Sequence, residues 1–258
     1  MIIPFFLDSG AFSAKNQGIE IDLRKYIKFI KENEDVITTY ANLDVIGDAE
    51  ASWRNQRRME NAGLNPLPVF HVEDDMKYLD RCLEYEHFCL GGMAKGYTTS
   101  QREAFLHRCW CRICDTPDQM PKSKVHGFGM TALPLIKRYP WYSVDSTTWL
   151  MLAANGNVLV PKFRRGEFQY GDVPHIVAVS NKSKDVNIPG SMHVDTFPPM
   201  AKKQILDYFE MRGFSYEDIQ TNYVTRGDVT MTFLYEFSRN LPEWPWPFKA
   251  RRREGLLI

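Results

Sequence analysis

The chain has 258 residues, 44% of them hydrophobic, which suits one large domain or two small ones. Its 32 basic and 32 acidic residues cancel to zero formal charge, so no global field attracts nucleic acid and any polyanion contact must come from a local patch. No apolar run approaches the ~20 residues a membrane helix needs, and with Lys15 as the first lysine the start of the chain lacks the basic-then-apolar order of a signal peptide.

In chain order, one theme repeats: a short β-rich run, a polar or glycine end, then a helical stretch. PFFLDSG precedes DLRKYIKFIKENED, where Leu23, Tyr26, Ile27 and Ile30 recur at helical spacing. VITTYANLDVIG precedes AEASWRNQRRMENAG, and LPVFHVED precedes MKYLDRCLEYE. HFCLGG precedes SQREAFLHRCWCRICD, with Thr99 or Ser100 as the expected cap. KVHGFG precedes ALPLIKRYP, and WYSVDS precedes TTWLMLAANG. Six such units predict an α/β fold with a parallel sheet. An open doubly wound sheet and a barrel both fit this order. The short spacing and the lack of a G-x-G-x-x-G turn disfavour a dinucleotide fold, and eight units would fit the size of a barrel. NVLVP, HIVAVS and GSMHVD are further strand candidates, and PMAKKQILDYFEMRGF reads as helix. No linker is evident, so residues 1–258 are expected to form a single domain with the tail 241–258 packed on it.

In parallel α/β folds, ligands bind beyond the carboxyl ends of the strands. This chain places polar residues at each such end: Asp8, Ser9 and Gly10; Asn42 and Asp44; His71, Glu73 and Asp74; Gly91 and Gly92; His126 to Gly129; and Asp145, Ser146 and Thr147. A single aspartate there could simply cap a helix. Three acids on one mouth, Asp8, Asp44 and Asp145, would raise one another's pKa and cost stability unless a ligand uses them. One carboxylate can accept the adjacent N1–H and amine of guanine, and a second can attack an electrophilic carbon. Gly91 and Gly92 would let backbone approach a flat base, with Phe12, Tyr40 or Phe128 as stacking partners or core.

These segments resemble those of the tRNA-guanine transglycosylases. LDSGAFS is similar to their LDSGG(F)Q segment, HFCLGGMAKG to their GG(L)A-G segment, and KVHGFGMTALPLI to their M-G-V-G-T-P-x-x-L-L stretch. YSVDSTTW followed by AANGNVL resembles the catalytic aspartate segment and its A-R-N-G sequel. The likeness runs in order over roughly residues 5–160. By pattern it is nearest to the phage and bacterial "deoxypurine in DNA protein A" group, which inserts 7-deazaguanines into DNA. The resemblance implies an irregular (β/α)8 TIM-type barrel and exchange of guanine for a 7-deazaguanine such as preQ0, through a covalent aspartyl-sugar intermediate and without a cofactor. It implies Asp145 as nucleophile and Asp8 as general acid/base or positioning group. Ser9, Asp44, His71, Gly91, Gly92, Met93 and Phe128 would bind the base. It also implies DNA, or tRNA, as polymer substrate, free deazaguanine as second substrate, no membrane partner, and the cytoplasm, a host's if the chain is phage-encoded.

There are departures from the pattern. The tRNA enzymes carry C-x-C-x-x-C and a distant His after the nucleophile, as a structural zinc site. Here Cys109, Cys111 and Cys114 lie before Asp145 in a helical stretch, where Cys109 and Cys111 diverge by ~200°. No cysteine follows Asp145, so the zinc module is expected to be missing. Five cysteines, an odd number, fit a reducing compartment with thiols mostly buried. Lys95, Lys162, Arg164 and Arg165 are the candidate phosphate contacts, with Arg251, Arg252 and Arg253 as a further basic run. WPWP, residues 244–247, cannot continue a helix and reads as an aromatic clasp. Two other readings stay open: an enzyme acting on RNA, and a metal-dependent barrel hydrolase or lyase that gathers Asp8, Asp44, His71, His126 and Asp145 around Zn²⁺ or Mn²⁺. A barrel that binds nucleic acid without catalysis is a third.

Overall fold

The computed structural model describes residues 5–92, 96–183 and 191–250, and the strand-then-helix order runs through residue 154. β1 (Phe5–Leu7) leads to α1 (Ala11–Gln17) and α2 (Leu23–Glu32), β2 (Ile37–Tyr40) to α3 (Ala49–Asn61), and β3 (Val69–His71) to α4 (Met76–Cys82). β4 (His87–Gly91) leads to α5 (Thr99–Ile113), β5 (Lys124–Gly127) to α6 (Leu133–Arg138), and β6 (Ser143–Val144) to α7 (Thr148–Ala154). The chain divides into two compact units, one running to Asp145 and resuming at Trp244, the other Ser146–Glu243.

In the first unit β1 pairs with β2, and β3, β4, β5 and β6 pair in that order, all parallel. A parallel bridge between Ala41 and Leu67, with Asn42 N–H donating to Leu67 O at 2.9 Å, joins the two sets. Neighbouring strands lie ~4.8 Å apart, so in a flat sheet β1 and β5 would be about 19 Å apart. Yet the rings of Phe6 on β1 and His126 on β5 stack with centroids 4.4 Å apart. The sheet therefore curls until its first and fifth strands share one concave face. That face buries Ala41, Val69 and Cys89, with Phe6, Leu67 and Phe128 packed against them. The opposite face is covered by helices: Phe70 stacks on Phe105 of α5, and Phe88, Leu90 and Val125 are fully buried. A Cβ on Gly127 would come within 2.8 Å of Trp141, so only glycine allows the close packing there.

The curl does not close into the expected barrel: among the described residues no closed barrel forms. The cause lies after α7. β7 (Asn157–Val160) is followed through Pro161 by β8 (Lys162–Arg164), β9 (Glu167–Gln169) and β10 (His175–Ala178), with no helix between them. Parallel pairing needs a long crossover, whereas antiparallel pairing needs only a short turn. Accordingly β10 pairs antiparallel with β7, and β8 with β9. A 3₁₀ turn (Val194–Thr196), α8 (Pro199–Met211), α9 (Tyr216–Thr221) and α10 (Tyr223–Arg239) complete the second unit. Its core gathers Val158, Val160, Val177, Tyr208, Phe209 and Val229. Among the described residues buried Arg226 has no carboxylate partner. Its guanidinium donates to Ala153 O at 2.7 Å and Ile219 O at 2.9 Å, where helix-end carbonyls concentrate negative potential.

The helical spacing of Leu23, Tyr26, Ile27 and Ile30 acts as read. Asp22 caps α2, accepting from Arg24 N–H at 2.7 Å, and Tyr26 and Ile30 form its buried stripe with Leu23 and Ile27 alongside. The cap of α5 is Thr98, just before the expected Thr99 or Ser100, and it forms a reciprocal capping box with Gln101. α1 was not foreseen: it buries none of its residues and so leaves no apolar period to read. Trp244 Nε1–H donates to Pro140 O at 3.1 Å, and buried Phe248 packs on Tyr139 with centroids 5.2 Å apart. The WPWP segment thus clasps the first unit. Arg251, Arg252 and Arg253 lie outside the described residues. Among the described residues no helix is long and apolar enough to cross a membrane.

Candidate active site

Side chains two apart on a strand share a face, so the sheet register determines which of them meet. Val69 lies opposite Cys89, Cys89 opposite His126, and His126 opposite Ser143. Two residues further along each strand, toward the carboxyl end, come His71, Gly91, Phe128 and Asp145, with His71 directly opposite Gly91. Asp8 follows Phe6 by the same step. The concave face therefore carries a lower row that is largely apolar apart from His126 and Ser143, topped by a polar layer that holds most of the residues expected from the sequence.

Asp44 is its most enclosed acid, 8% exposed. Ser9 Oγ–H donates to Asp44 Oδ1 at 2.8 Å, and His71 Nε2 lies 2.9 Å from Asp44 Oδ2. A carboxylate has about four lone-pair sites. One protein donor on each oxygen leaves one site per oxygen for a ligand with two adjacent N–H groups. The backbone of His71 is held where its N–H donates to Asp74 Oδ2 at 2.9 Å, while its buried Nδ1 has no hydrogen-bond partner among the described residues.

Gly91 and Gly92 make room for that imidazole. A Cβ on Gly91 would lie 3.1 Å from two His71 ring atoms, and Gly92 has φ +81°, which side chains strongly disfavour. Gly91→Ala is expected to push the ring away from Asp44 and to cost about 1–2 kcal/mol of stability. Thermal melting and the His71 imidazole NMR shifts would read this; an unmoved resonance would show that the ring does not depend on the absent Cβ.

Asp145, half exposed, accepts from Gly129 N–H at 2.7 Å through Oδ1. Oδ2 has no donor among the described residues. His126 Nε2, buried and without a hydrogen-bond partner among the described residues, lies 3.7 Å from Asp145 Oδ1, and His126 Nδ1 lies 2.9 Å from Ser143 Oγ. The imidazole is clamped between Phe6 and the edge of Phe128, whose centroid is 4.8 Å away.

Asp8 has measurable solvent exposure, but protein crowds one side of its carboxyl. Loss of hydration there raises its pKa above the ordinary value, and the charges of Asp44 and Asp145 raise it further. Its bond from Gly10 N–H at 3.1 Å and nearby His126 work the other way. Asp8 thus lies in the electrostatic range of both other acids. The buried thiol of Cys89 beneath them is pushed well above its usual range by desolvation, with all three acids adding to the effect. Tyr26, whose hydroxyl donates to Ala41 O at 2.9 Å, is raised in the same way by burial and then by Asp8 and Asp44.

So Asp8, Ser9, Asp44, His71, Gly91, Gly92, Phe128 and Asp145 come together. Met93 and Lys95 lie outside the described residues. Lys162, Arg164 and Arg165 belong to the β8–β9 hairpin of the second unit, Arg165 at its turn with φ +53°. Tyr40 is no stacking platform: its ring packs beside Tyr26 and Leu43, and its hydroxyl accepts from Asn65 N–H at 2.8 Å. Cys109 and Cys114 are buried whereas Cys111 is exposed, 3.6 Å from His107 Nε2, so the three do not converge. Among the described residues no three His, Cys, Asp or Glu side chains form a metal-binding group. The sequence reading missed Phe6 and Ser143. Both were open to a period-two count, since Phe6 precedes Asp8 by two and Ser143 precedes Asp145 by two.

No model of a known protein family matches the chain, and no curated protein matches it.

Proposed function

We propose that this protein is a DNA-guanine transglycosylase that exchanges guanine for a 7-deazaguanine such as preQ0. The observation that carries the reading is the polar layer, in which a donor-held Asp44, a raised Asp8 and an Asp145 with a free oxygen lie on one concave face. Asp145 Oδ2 attacks C1′ of the sugar, and the C1′–N9 bond breaks with its electron pair leaving on the purine. Asp8 delivers the proton the departing guanine takes up. The ester to C1′ then holds the sugar while the bases exchange, as in retaining glycosidases. The incoming deazaguanine gives its N9 proton to Asp8 and forms the new bond at C1′, releasing Asp145. Asp44 holds the N1–H and amine edge of each base in turn, with His71 and Ser9 fixing its carboxylate. For a duplex, the nucleotide has to leave the stack.

The same proposal takes the curled sheet as the arc of an irregular (β/α)8 barrel of the transglycosylase kind without a zinc module. Six parallel strands in sequential order support this. Lys162, Arg164 and Arg165 are the phosphate contacts it calls for.

The deciding experiment is mass spectrometry of nucleosides from DNA of cells that make the chain and are supplied with preQ0. Deazaguanine nucleosides in that DNA are expected; only unmodified deoxyguanosine, with folded protein present, would end the reading. A second result concerns His126. In the tautomer where Ser143 Oγ–H donates to Nδ1, Nε2 carries a proton toward Asp145 and steadies the carboxylate. His126→Gln is expected to lower kcat about tenfold with little change in KM, because the group acts on the nucleophile and not on base recognition. A change confined to KM would remove His126 from that role.

A further inference from the structure

The second unit carries a groove of its own, about 640 Å³, between the β8–β9 hairpin and the start of α8. Its lining combines Lys162, Arg164 and His175 with Phe163, Phe168 and Phe197, and among the described residues contains no aspartate or glutamate. The volume falls within the usual range for small-ligand sites. Each part has a local cause. Phe163 and Phe168 are direct cross-strand partners in the hairpin, their rings edge to face at 5.0 Å, yet Phe163 stays 38% exposed. Lys162 and Arg164 flank Phe163 in β8. Arg164 reaches Asp172 at 3.4 Å, an exposed pair that contributes little. His175 lies opposite Val160 at the end of β10. Burial first, and then the charges of Lys162 and Arg164, lower its pKa, and those two cations give the groove its positive potential. α8 begins at Pro199 with no side-chain cap, so its first N–H groups add to that potential.

We infer that this groove is a nucleotide subsite, in which Lys162, Arg164 and His175 take a phosphate and the exposed ring of Phe163 stacks on the attached base. Charge complementarity argues for an anion and the aromatic lining for a flat ring beside it, and a nucleotide unites the two. Gln204, also in the lining, offers an amide for a base edge. The inference does not depend on the chemistry proposed for the acid layer. It goes beyond phosphate contact, because it requires an unpaired base at the hairpin. That chemistry has two sources, a free mononucleotide and one unit of a single strand.

The test uses the full chain without any deazaguanine, so no base exchange enters the readout. Fluorescence anisotropy follows a fluorescein-labelled thymidine oligonucleotide over a range of salt, with thymidine 5′-monophosphate as competitor. Phe163→Ala is expected to weaken binding about 5- to 100-fold, the usual effect of losing one base stack. Phe163→Leu, which keeps the apolar volume against Phe168, should weaken it in the same direction if stacking is the cause. Lys162→Ala with Arg164→Ala should flatten the dependence of log K on log salt by up to about 1.4. Competition at equal molarity assigns the site to free nucleotides, and binding of the strand alone assigns it to nucleic acid. Wild-type affinity in all three variants, with unchanged melting temperatures, or no binding of either probe, overturns the inference.

Discussion

Asp145→Asn is expected to abolish base exchange, by on the order of 10⁴-fold or more. The amide is nearly isosteric with the carboxylate, and its oxygen can still accept from Gly129 N–H, so fold and melting temperature should hold. What is lost is the charge. A neutral amide oxygen is a poor nucleophile at C1′, and it gives little stabilisation to the positive charge that develops on the sugar as the base departs. Two measurements check this. Release of labelled guanine from duplex DNA in the presence of preQ0 should disappear in the variant. A protein–DNA adduct that survives denaturation should form only with the wild type when no incoming base is supplied. Release at the wild-type rate in pure Asp145→Asn protein would remove Asp145 as nucleophile.

Asp8→Asn is expected to lower the rate about 10²- to 10⁴-fold, the usual span for general acid–base catalysis, while leaving the fold as stable or more so. The opposite signs follow from one cause. Partial desolvation and the charges of Asp44 and Asp145 disfavour the ionised form of Asp8, so its folded pKa is raised. A group raised in this way favours the folded state fully below its unfolded pKa, and that contribution is lost as pH rises through the folded value. Wherever Asp8 is ionised its charge is therefore a net cost, which asparagine removes. Because Asp8 keeps solvent contact, screening limits the gain to a few degrees in melting temperature at most. The gain should shrink toward acidic pH, where both chains are uncharged at this position. Activity should fall as pH rises through the raised pKa, since the leaving guanine then finds no proton. A variant that melts markedly lower than wild type at neutral pH, or that keeps its rate, would contradict this assignment.

How much of the site could be read in advance depended on the physics behind each feature. The strand-end acids were legible because an apolar run that stops at Asp8, at Asp145 or at the Asn42–Asp44 turn is a local pattern. The partners of those acids were not. That His71 holds Asp44, and that His126 rather than a remote group stands beside Asp145, follows from register between strands 15 or more residues apart in sequence. Gly91 and Gly92 were noticed as backbone suited to approach a base. Packing gives them a second reason, because the His71 ring occupies the space where a Cβ would stand.

The sequence by itself determined the alternation of strands and helices through α7 apart from α1, the buried stripe of α2, and the acids at the strand ends. Each of these is written in residues within a few positions of one another, where hydrogen-bond geometry and apolar periodicity act. Tertiary structure alone decided that the sheet curls enough to set Phe6 on His126, and that the chain after β7 turns back antiparallel instead of completing a barrel. It also decided which donors hold each carboxylate. Those outcomes depend on strand twist, on the length of each connection and on contacts across the concave face, and none of these leaves a periodic mark along the chain.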